Sequence, residues 1–465
     1  MVRRARELHP RVVLDPAVTP VSQRVVSAVL AAISDGSLLD DDPLPSSRSF
    51  AEEHCISRSS VVQAYETLVG LGVVRSVHGS GTRVSPGARA LLDHKNSTPS
   101  PAPHRPEPSK ALLDLTVPAN MHEAVLDPRE WNRAWREAIS PEASGSGPGE
   151  LVRALHDHLR SFRGMSFAPE QVVLRPSVGS VVADIVHSAE LRGQAVVVED
   201  PGNPRIQRHF IDHGCRVRCV PVDDHGLRID MLSGADRAVH VTPARQWPTG
   251  VSMAEERRQE LLDWSVRTGG IIIENDLDAE FVFGRAPEPT LFAMAPPGAR
   301  VLYLGSPAKL LSPELAVVWL IVDPSFRRRA SDLAPVSDFP ARALAHFITS
   351  GALYRHRNRA LSLCRERRDA LIKALARTVP AVRTLGDPSG TEILLQLPDG
   401  ADELSVQMRL EQDGFQVSAL GDFAIRPRHH ALLLHYGALT PSAARGFARC
   451  LHQALLADHP RQSAS

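Results

Sequence analysis

The sequence predicts a multidomain protein: a small α+β head, then a large α/β body that ends in a smaller C-terminal α+β lobe. Three observations predict it. Helically spaced apolar residues, punctuated by capping residues and a glycine-rich hairpin signal, fill the first 85 positions. A Pro- and Ser-rich stretch over 86–110 is nearly free of large apolar groups. Beyond it, short all-apolar runs alternate with amphipathic stretches, the pattern of a mostly parallel sheet covered on both faces.

In the head, Thr19-Pro20 places a capping hydroxyl before a proline at the first helical position. Val21, Val25, Val26, Val29, Leu30 and Ile33 follow at helical spacing, and Gly36 ends the run. The acidic run Asp40–Asp42 reads as a solvated turn. Ser47 is placed to cap a short second helix carrying Arg48, Phe50 and Ala51, and Cys55-Ile56 turns the chain. Ser57 caps a third helix whose predicted apolar stripe is Val61, Val62, Tyr65, Leu68 and Val69. Val73–Arg75, the turn His78-Gly79-Ser80-Gly81 and Thr82–Val84 read as a hairpin.

Two helices joined by a tight turn and followed by a hairpin form a winged helix-turn-helix. The start of the second helix of such a pair enters the major groove, which puts Ser57, Arg58, Ser59 and Ser60 at DNA. Arg48 reaches the backbone, and the wing tip at His78 and Gly79, flanked by Arg75 and Arg83, is slim enough for the minor groove. Phosphate contacts position such a domain, and Arg58 is the candidate for reading a base.

The segment 86–110 reads as a mobile, partly extended linker. In the body the strand candidates are Val172–Leu174, Ala195–Val198, Val217–Val222, Ala238–Thr242, Ile271–Glu274, Val301–Leu304 and Val317–Val322. The C-terminal lobe is expected from about Ala341, with one long helix over His346–Lys373 and strands Glu392–Gln396 and Ala431–His435. No internal repeat is evident.

Composition narrows the function classes. With 465 residues and a formal net charge of zero, bulk charge does not point to nucleic acid. The first 86 residues balance as well, nine Arg against nine acidic side chains, so a DNA reading rests on where the arginines sit. Cys55, Cys215, Cys219, Cys364 and Cys450 form no CxxC pair and read as reduced thiols, with no metal site. His156 and His158, two apart on a helix, point in different directions. The start of the chain has no apolar leader and no run approaches membrane-spanning length, so a cytoplasmic protein is expected.

The string LPSSRSFAEEHCISRSSVVQAYETLVGLGVVRSVHGSGTRV (44–84) resembles the GntR-type winged helix. Behind it, VEDPGNPR (198–205), VTPARQWPTG (241–250), IIIENDLDAEF (271–281), YLGSPAKLL (303–311) and ALLLHYGAL (431–439) follow in an order that resembles the effector domain of the MocR subfamily of GntR regulators. That resemblance implies a fold-type I, aminotransferase-like domain over 111–465 and pyridoxal 5'-phosphate (PLP) as cofactor. It further implies double-stranded operator DNA as partner, a small amine or amino-acid effector, and a homodimer assembled head to tail.

Carried over by position, the imine-forming lysine is Lys309. Ser306 keeps one phosphate-side hydroxyl, whereas Ala308 and Ala316 stand where the family has a hydroxyl and an arginine. Ser177, Gly179 and Ser180 fall at a helix start able to cradle phosphate. Asn203 replaces an aromatic residue, and Arg205 keeps a basic one. Asn275 takes the place of the aspartate facing the pyridine nitrogen, and Leu277 that of a tyrosine near the ring hydroxyl. A carboxamide cannot become an anion, so it cannot hold the ring nitrogen protonated by charge. Asp276, the next residue along a strand, points to the other face. His429 aligns with the arginine that grips a substrate carboxylate, with Arg426 and Arg428 close by. Trp247 either lines the cofactor ring or packs. The expected function is a DNA-binding regulator that senses PLP, an amine or an amino acid. The alternatives are an aminotransferase with a fused DNA-binding head, and a regulator whose pocket no longer takes PLP.

Overall fold

The computed structural model describes residues 12–77, 81–96, 112–118, 124–140, 147–277, 279–284, 286–322, 326, 335–425 and 430–458. The chain divides into two compact units, residues 1–107 and 108–465.

In the first unit, α1 (Val21–Ser34), α2 (Ser47–Glu53) and α3 (Arg58–Gly70) precede the antiparallel pair β1 (Val74–Val77) and β2 (Gly81–Val84). Val25, Val26, Val29 and Ile33 of α1 meet Phe50 of α2 and Val61, Ala64 and Leu68 of α3 in one core. Spacings of three and four select these residues, and they drop Val62 and Val69 from the predicted stripe: both are exposed. Ser57 caps α3 by accepting from Ser60 N at 3.2 Å. The cap of α2 is Ser46, which accepts from Ser49 N, and not Ser47; α1 starts after Pro20 with no side-chain cap.

The run Asp40–Asp42 is a solvated turn, as expected, and it also holds its neighbours: Asp40 accepts from Gly87 N, Asp42 from Leu39 N, and Asp41 pairs with Arg75 while its carbonyl accepts from Arg83. One further expectation is corrected. The start of the supposed linker is a helix, α4 (Ala88–Asn96), because Ala88 and Leu92, one turn apart, reach the head core.

In the second unit, an eight-stranded sheet has the order β4-β11-β10-β9-β8-β5-β6-β7. Its strands are β4 (Val172–Arg175), β5 (Ala195–Asp200), β6 (Arg216–Asp223), β7 (Gly226–Leu227), β8 (Asp236–Val241), β9 (Ile271–Asn275), β10 (Arg300–Gly305) and β11 (Val318–Ile321); the two-residue β3 (Leu113–Asp114) lies outside it. The five central strands are mutually parallel, and β11 runs antiparallel to both β10 and β4. Alternation builds two layers. Val196, Val198, Ile271 and Ile273 face one apolar cluster, and Val197, Val239 and Ile272 face another with Leu261, Leu262 and Trp264 of α9 (Glu255–Thr268). The body helices before α9 are α5 (Pro128–Ile139), α6 (Gly147–Arg163) and, in the other layer, α7 (Val178–Ser188) and α8 (Pro204–Asp212).

The C-terminal lobe carries an antiparallel sheet in the order β12-β13-β16-β15, made from Arg383–Leu385, Glu392–Gln396, Ala431–His435 and Ser418–Ala419. β3 pairs in parallel with β14 (Phe415–Gln416). The single helix expected over His346–Lys373 is two helices, Asp338–Thr349 and Ala352–Thr378, broken at Gly351 with φ 75°.

Gly305 pairs with Trp319 across β10 and β11, and a Cβ at Gly305 would meet the indole at 2.3 Å. Gly305→Ala therefore overpacks the strand that leads to residues 306–309 and is expected to lower stability by about 1–3 kcal/mol. Chemical unfolding followed by tryptophan fluorescence checks this, and an unchanged midpoint would show that the indole moves aside.

Candidate functional site

The C-terminal ends of β5, β8 and β9, with Lys309 from the segment after β10, open on a cavity of about 430 Å³. This is where an open α/β sheet places ligands, because the loops leaving the strand ends diverge there. Lys309, Asn275, Leu277, Asn203, Arg205 and Trp247 all line it, though they come from four separate sequence motifs.

Asn275 ends β9, and its Nδ2 lies 3.3 Å from Nε2 of His240 on the neighbouring strand β8. Its Oδ1 accepts from Leu277 N at 3.3 Å. Burial pushes His240 down to about 4, so it is neutral at pH 7, and Asn275 Nδ2 donates to it. No charge acts through this pair. Asp276 borders the cavity, but its Oδ2 accepts from Arg163 Nε at 2.8 Å and Tyr303 Oη at 2.7 Å. Trp247 stands edge-to-face with Phe423 at 4.8 Å between ring centroids, and both line the cavity.

The expected phosphate seats are engaged elsewhere. Ser306 Oγ donates to Val317 O at 2.8 Å and accepts from Ala308 N. Ser177 and Ser180 form a reciprocal capping box at the start of α7, and the His209 ring stands where a Cβ on Gly179 would meet it at 2.9 Å. None of these four residues lines the cavity. Ser177, Gly179 and Ser180 were expected there because a helix start after a strand suits an anion, and Ser306 because the resemblance carries a phosphate-side hydroxyl to it; here the Ser177 and Ser180 hydroxyls cap their own helix, and the Ser306 hydroxyl is held by Val317 O and Ala308 N. Asn203 Oδ1 caps the Pro204–Asp212 helix by accepting from Arg205 N at 2.9 Å. The proposed carboxylate grip, Arg426, Arg428 and His429, lies outside the described residues.

Sequence reasoning missed a charged cluster at the lysine end. Lys309 Nζ lies 3.8 Å from Oε2 of Glu392, the first residue of β13. Arg245 donates through Nη1 to Glu392 Oε1 at 2.6 Å, through Nη2 to Glu392 O at 2.9 Å, and through Nε to Ser389 O at 3.1 Å. Gly390, with φ 81°, makes room for that guanidinium, which a Cβ would meet at 2.3 Å. Thr391 Oγ1 donates to Glu392 Oε2 at 2.7 Å, and His435 Nδ1 is 3.5 Å from the same oxygen. Burial alone would raise the Glu392 carboxyl; the facing charges of Lys309 and Arg245 overcome it and hold it well below the usual carboxylate range. Burial drives His435 down to about 4, so it too is neutral at pH 7. The available signal was a carboxylate opening the otherwise apolar run EILL, and an arginine within VTPARQWPTG.

Glu199 at the end of β5 is a second missed group. It accepts from Thr242 Oγ1 at 2.6 Å, from Thr242 N at 3.2 Å and from Gln246 Nε2 at 3.3 Å. Burial outweighs these bonds and pushes the carboxyl up to about 7.

In the head, Arg58 and Ser59 are exposed at the start of α3, and Ser57 Oγ lies 3.0 Å from Ser59 Oγ and 2.8 Å from Ser60 Oγ. Arg48 is exposed and pairs with Glu52 at 3.0 Å. Arg75 and Arg83 are both anchored at Asp41, and His78 and Gly79 lie outside the described residues. None of the five cysteines is in a disulfide, and no group of metal-ligating side chains occurs among the described residues.

Because Glu199 titrates higher folded than at its ordinary 4.5, the folded protein binds more protons than the unfolded chain between about pH 4.5 and 7. Its contribution to stability therefore falls as pH rises through that window and is flat above it. Glu199→Gln is expected to remove about 3 kcal/mol of that decline. Urea unfolding of both proteins at pH 5 and 8 checks this; a difference independent of pH would show that the carboxyl is not lifted.

Residues 21–84 match the family described as bacterial regulatory proteins, gntR family. The chain is 31% identical over 387 residues to the HTH-type pyridoxine biosynthesis transcriptional regulator PdxR of Corynebacterium glutamicum, covering 81% of each chain. It is 26% identical over 465 residues to the probable rhizopine catabolism regulatory protein MocR of Rhizobium meliloti, covering 94% of each. In fold it is similar to the kynurenine aminotransferase of Pyrococcus horikoshii, with a TM-score of 0.65 at 21% identity over 79% of this chain and 99% of that one. Winged-helix head and aminotransferase-like body together identify this chain as a DNA-binding transcriptional regulator that belongs to the MocR subfamily of GntR-type proteins.

Proposed function

We propose that the chain acts as a homodimer, reads paired operator half-sites through its head, and alters transcription when a small molecule occupies the cavity of its body. PLP, an amine or an amino acid is the proposed effector. The observation that carries this reading is the convergence of Lys309, Asn275, Leu277, Asn203 and Arg205 on one cavity in a DNA-binding protein. Ligand acts by binding one arrangement of the dimer more tightly than another. A cytoplasmic location is proposed because operator DNA is the partner of a GntR-type head.

The cavity fits PLP at its aldehyde and ring. Lys309 presents an amine, Asn275 a hydrogen-bond partner for the ring nitrogen, Trp247 and Phe423 an aromatic wall, and Arg205 a cation for the phosphate. When bound, PLP supplies an aldehyde for covalent capture and a ring that accepts electrons. The neutral Asn275–His240 pair cannot hold that ring protonated, which favours sensing over amino-group transfer. A second reading, a receptor for a different small molecule, is favoured by the engaged hydroxyls of Ser306, Ser177 and Ser180.

Adding PLP to the purified protein is expected to produce an absorbance band at about 420 nm that Lys309→Ala abolishes. No band in either protein would select the second reading, and rapid formation of pyridoxamine phosphate with an amino acid would select an enzyme. In the head, Arg58→Ala is expected to weaken operator binding by about 1–3 kcal/mol and to relax base preference. An equal loss on all sequences would make Arg58 a phosphate contact.

A further inference from the structure

The lysine that lines the cavity faces a carboxylate that cannot leave. Glu392 has no exposed side-chain surface, whereas 21% of the Lys309 side chain is solvent-exposed. Arg245, Thr391 and His435, which surround the Glu392 carboxylate, are themselves 5%, 3% and 5% exposed. Rotating Glu392 away would strand the buried Arg245 guanidinium, which no buried site tolerates cheaply. The other ionisable groups lining the cavity are Arg205, Glu199, Asp276 and the neutral His240, and Asp276 is already paired with Arg163.

An opposite charge at this range favours the charged form of an amine. Capture of an aldehyde needs the uncharged form, because an ammonium has three donors and no lone pair. We infer that Glu392, clamped by Arg245, is a positioning residue that keeps Lys309 as an ammonium, so that the cavity first takes its ligand by charge and shape and joins an aldehyde slowly at neutral pH. The inference rests on the cavity being the effector site and on Lys309 being its reactive amine. The joining step balances without a redox partner. The ammonium passes one proton to solvent, its nitrogen lone pair forms a bond to the aldehyde carbon, and the carbonyl oxygen departs as water, leaving an imine.

The test uses the full chain with PLP as the aldehyde probe, borohydride trapping, and peptide mass spectrometry at Lys309. E392Q keeps an acceptor for Arg245 and removes the negative charge. At pH about 7.5 it is expected to label Lys309 roughly tenfold faster than the unchanged protein, the factor that one pH unit of charge stabilisation represents. The two rates are expected to converge as pH rises, a behaviour that loss of packing alone would not produce. The double variant R245M/E392L removes both buried charges, guards against a folding defect in E392Q, and is expected to label fast as well. Labelling in E392Q is expected to vanish when Lys309→Ala is added. Unchanged protein that labels as fast as both variants would overturn the inference, and so would variants that do not label at all. If the variants label faster but no cavity ligand alters operator binding, the control of Lys309 by Glu392 stands as a property of the cavity, and it is the effector reading that fails.

Discussion

A buried carboxylate must be met by positive charge, and in this protein that requirement joins two parts of the body. Glu392 opens a strand of the C-terminal lobe, and Arg245 sits in the loop that leaves β8 of the main sheet. Three hydrogen bonds from one guanidinium span the gap, two to Glu392 and one to Ser389. Removing either partner of such a pair costs about 3–5 kcal/mol, since the remaining charge stays buried without compensation. The contact of Ser252 with Asp387 and the hydrogen bond from Asp387 N to Gly250 O follow the same seam. The cavity lies along it, with Thr242, Ala244 and Trp247 from the main sheet and Ser418 and His435 from the lobe.

The seam also sets the chemistry of the cavity. Its lysine end sets two cationic side chains, Lys309 and Arg245, around one buried carboxylate, while the Asn275–His240 end is polar and uncharged. An aminotransferase needs the opposite arrangement, an uncharged lysine at one end and a fixed anion beside the ring nitrogen at the other. Both differences work in the same direction. They leave hydrogen bonding, an aromatic wall and cationic groups, which suffice to bind a small anionic or amine-bearing molecule but do not stabilise a carbanion.

Much of this was legible in the sequence because it is local. The strands of the main sheet announce themselves as apolar runs, and Asn275 and Lys309 are marked by their motifs. Other features were hidden because they are set by contacts distant along the chain. Leu92 and Ala88 looked like linker residues, yet they close the head core against α1. Asp41 is solvated as its turn suggested, yet it also anchors Arg75 and Arg83, more than thirty positions away. Ser177, Ser180 and Ser306 carry the right atoms for a phosphate, but a hydroxyl beside free backbone groups bonds to them first. Glu392 and Arg245 are 147 positions apart, and neither has a meaning without the other.

How such a cavity would report occupancy under the proposed sensing role follows from the same pair. A ligand with equal affinity for two states shifts nothing, however tightly it binds. A ligand anion that recruits Lys309 competes with Glu392 for that cation, and Arg245 is then left to balance the buried carboxylate. The strength of the seam between main sheet and lobe thereby depends on what sits in the cavity. Burial makes this dependence large, because water cannot screen charges at sites with so little exposed surface. A surface ion pair in the same place would exchange its partner for solvent and transmit little. On the proposed sensing role, signalling needs no turnover and no change of fold, only a cation shared between a ligand and the protein's own carboxylate.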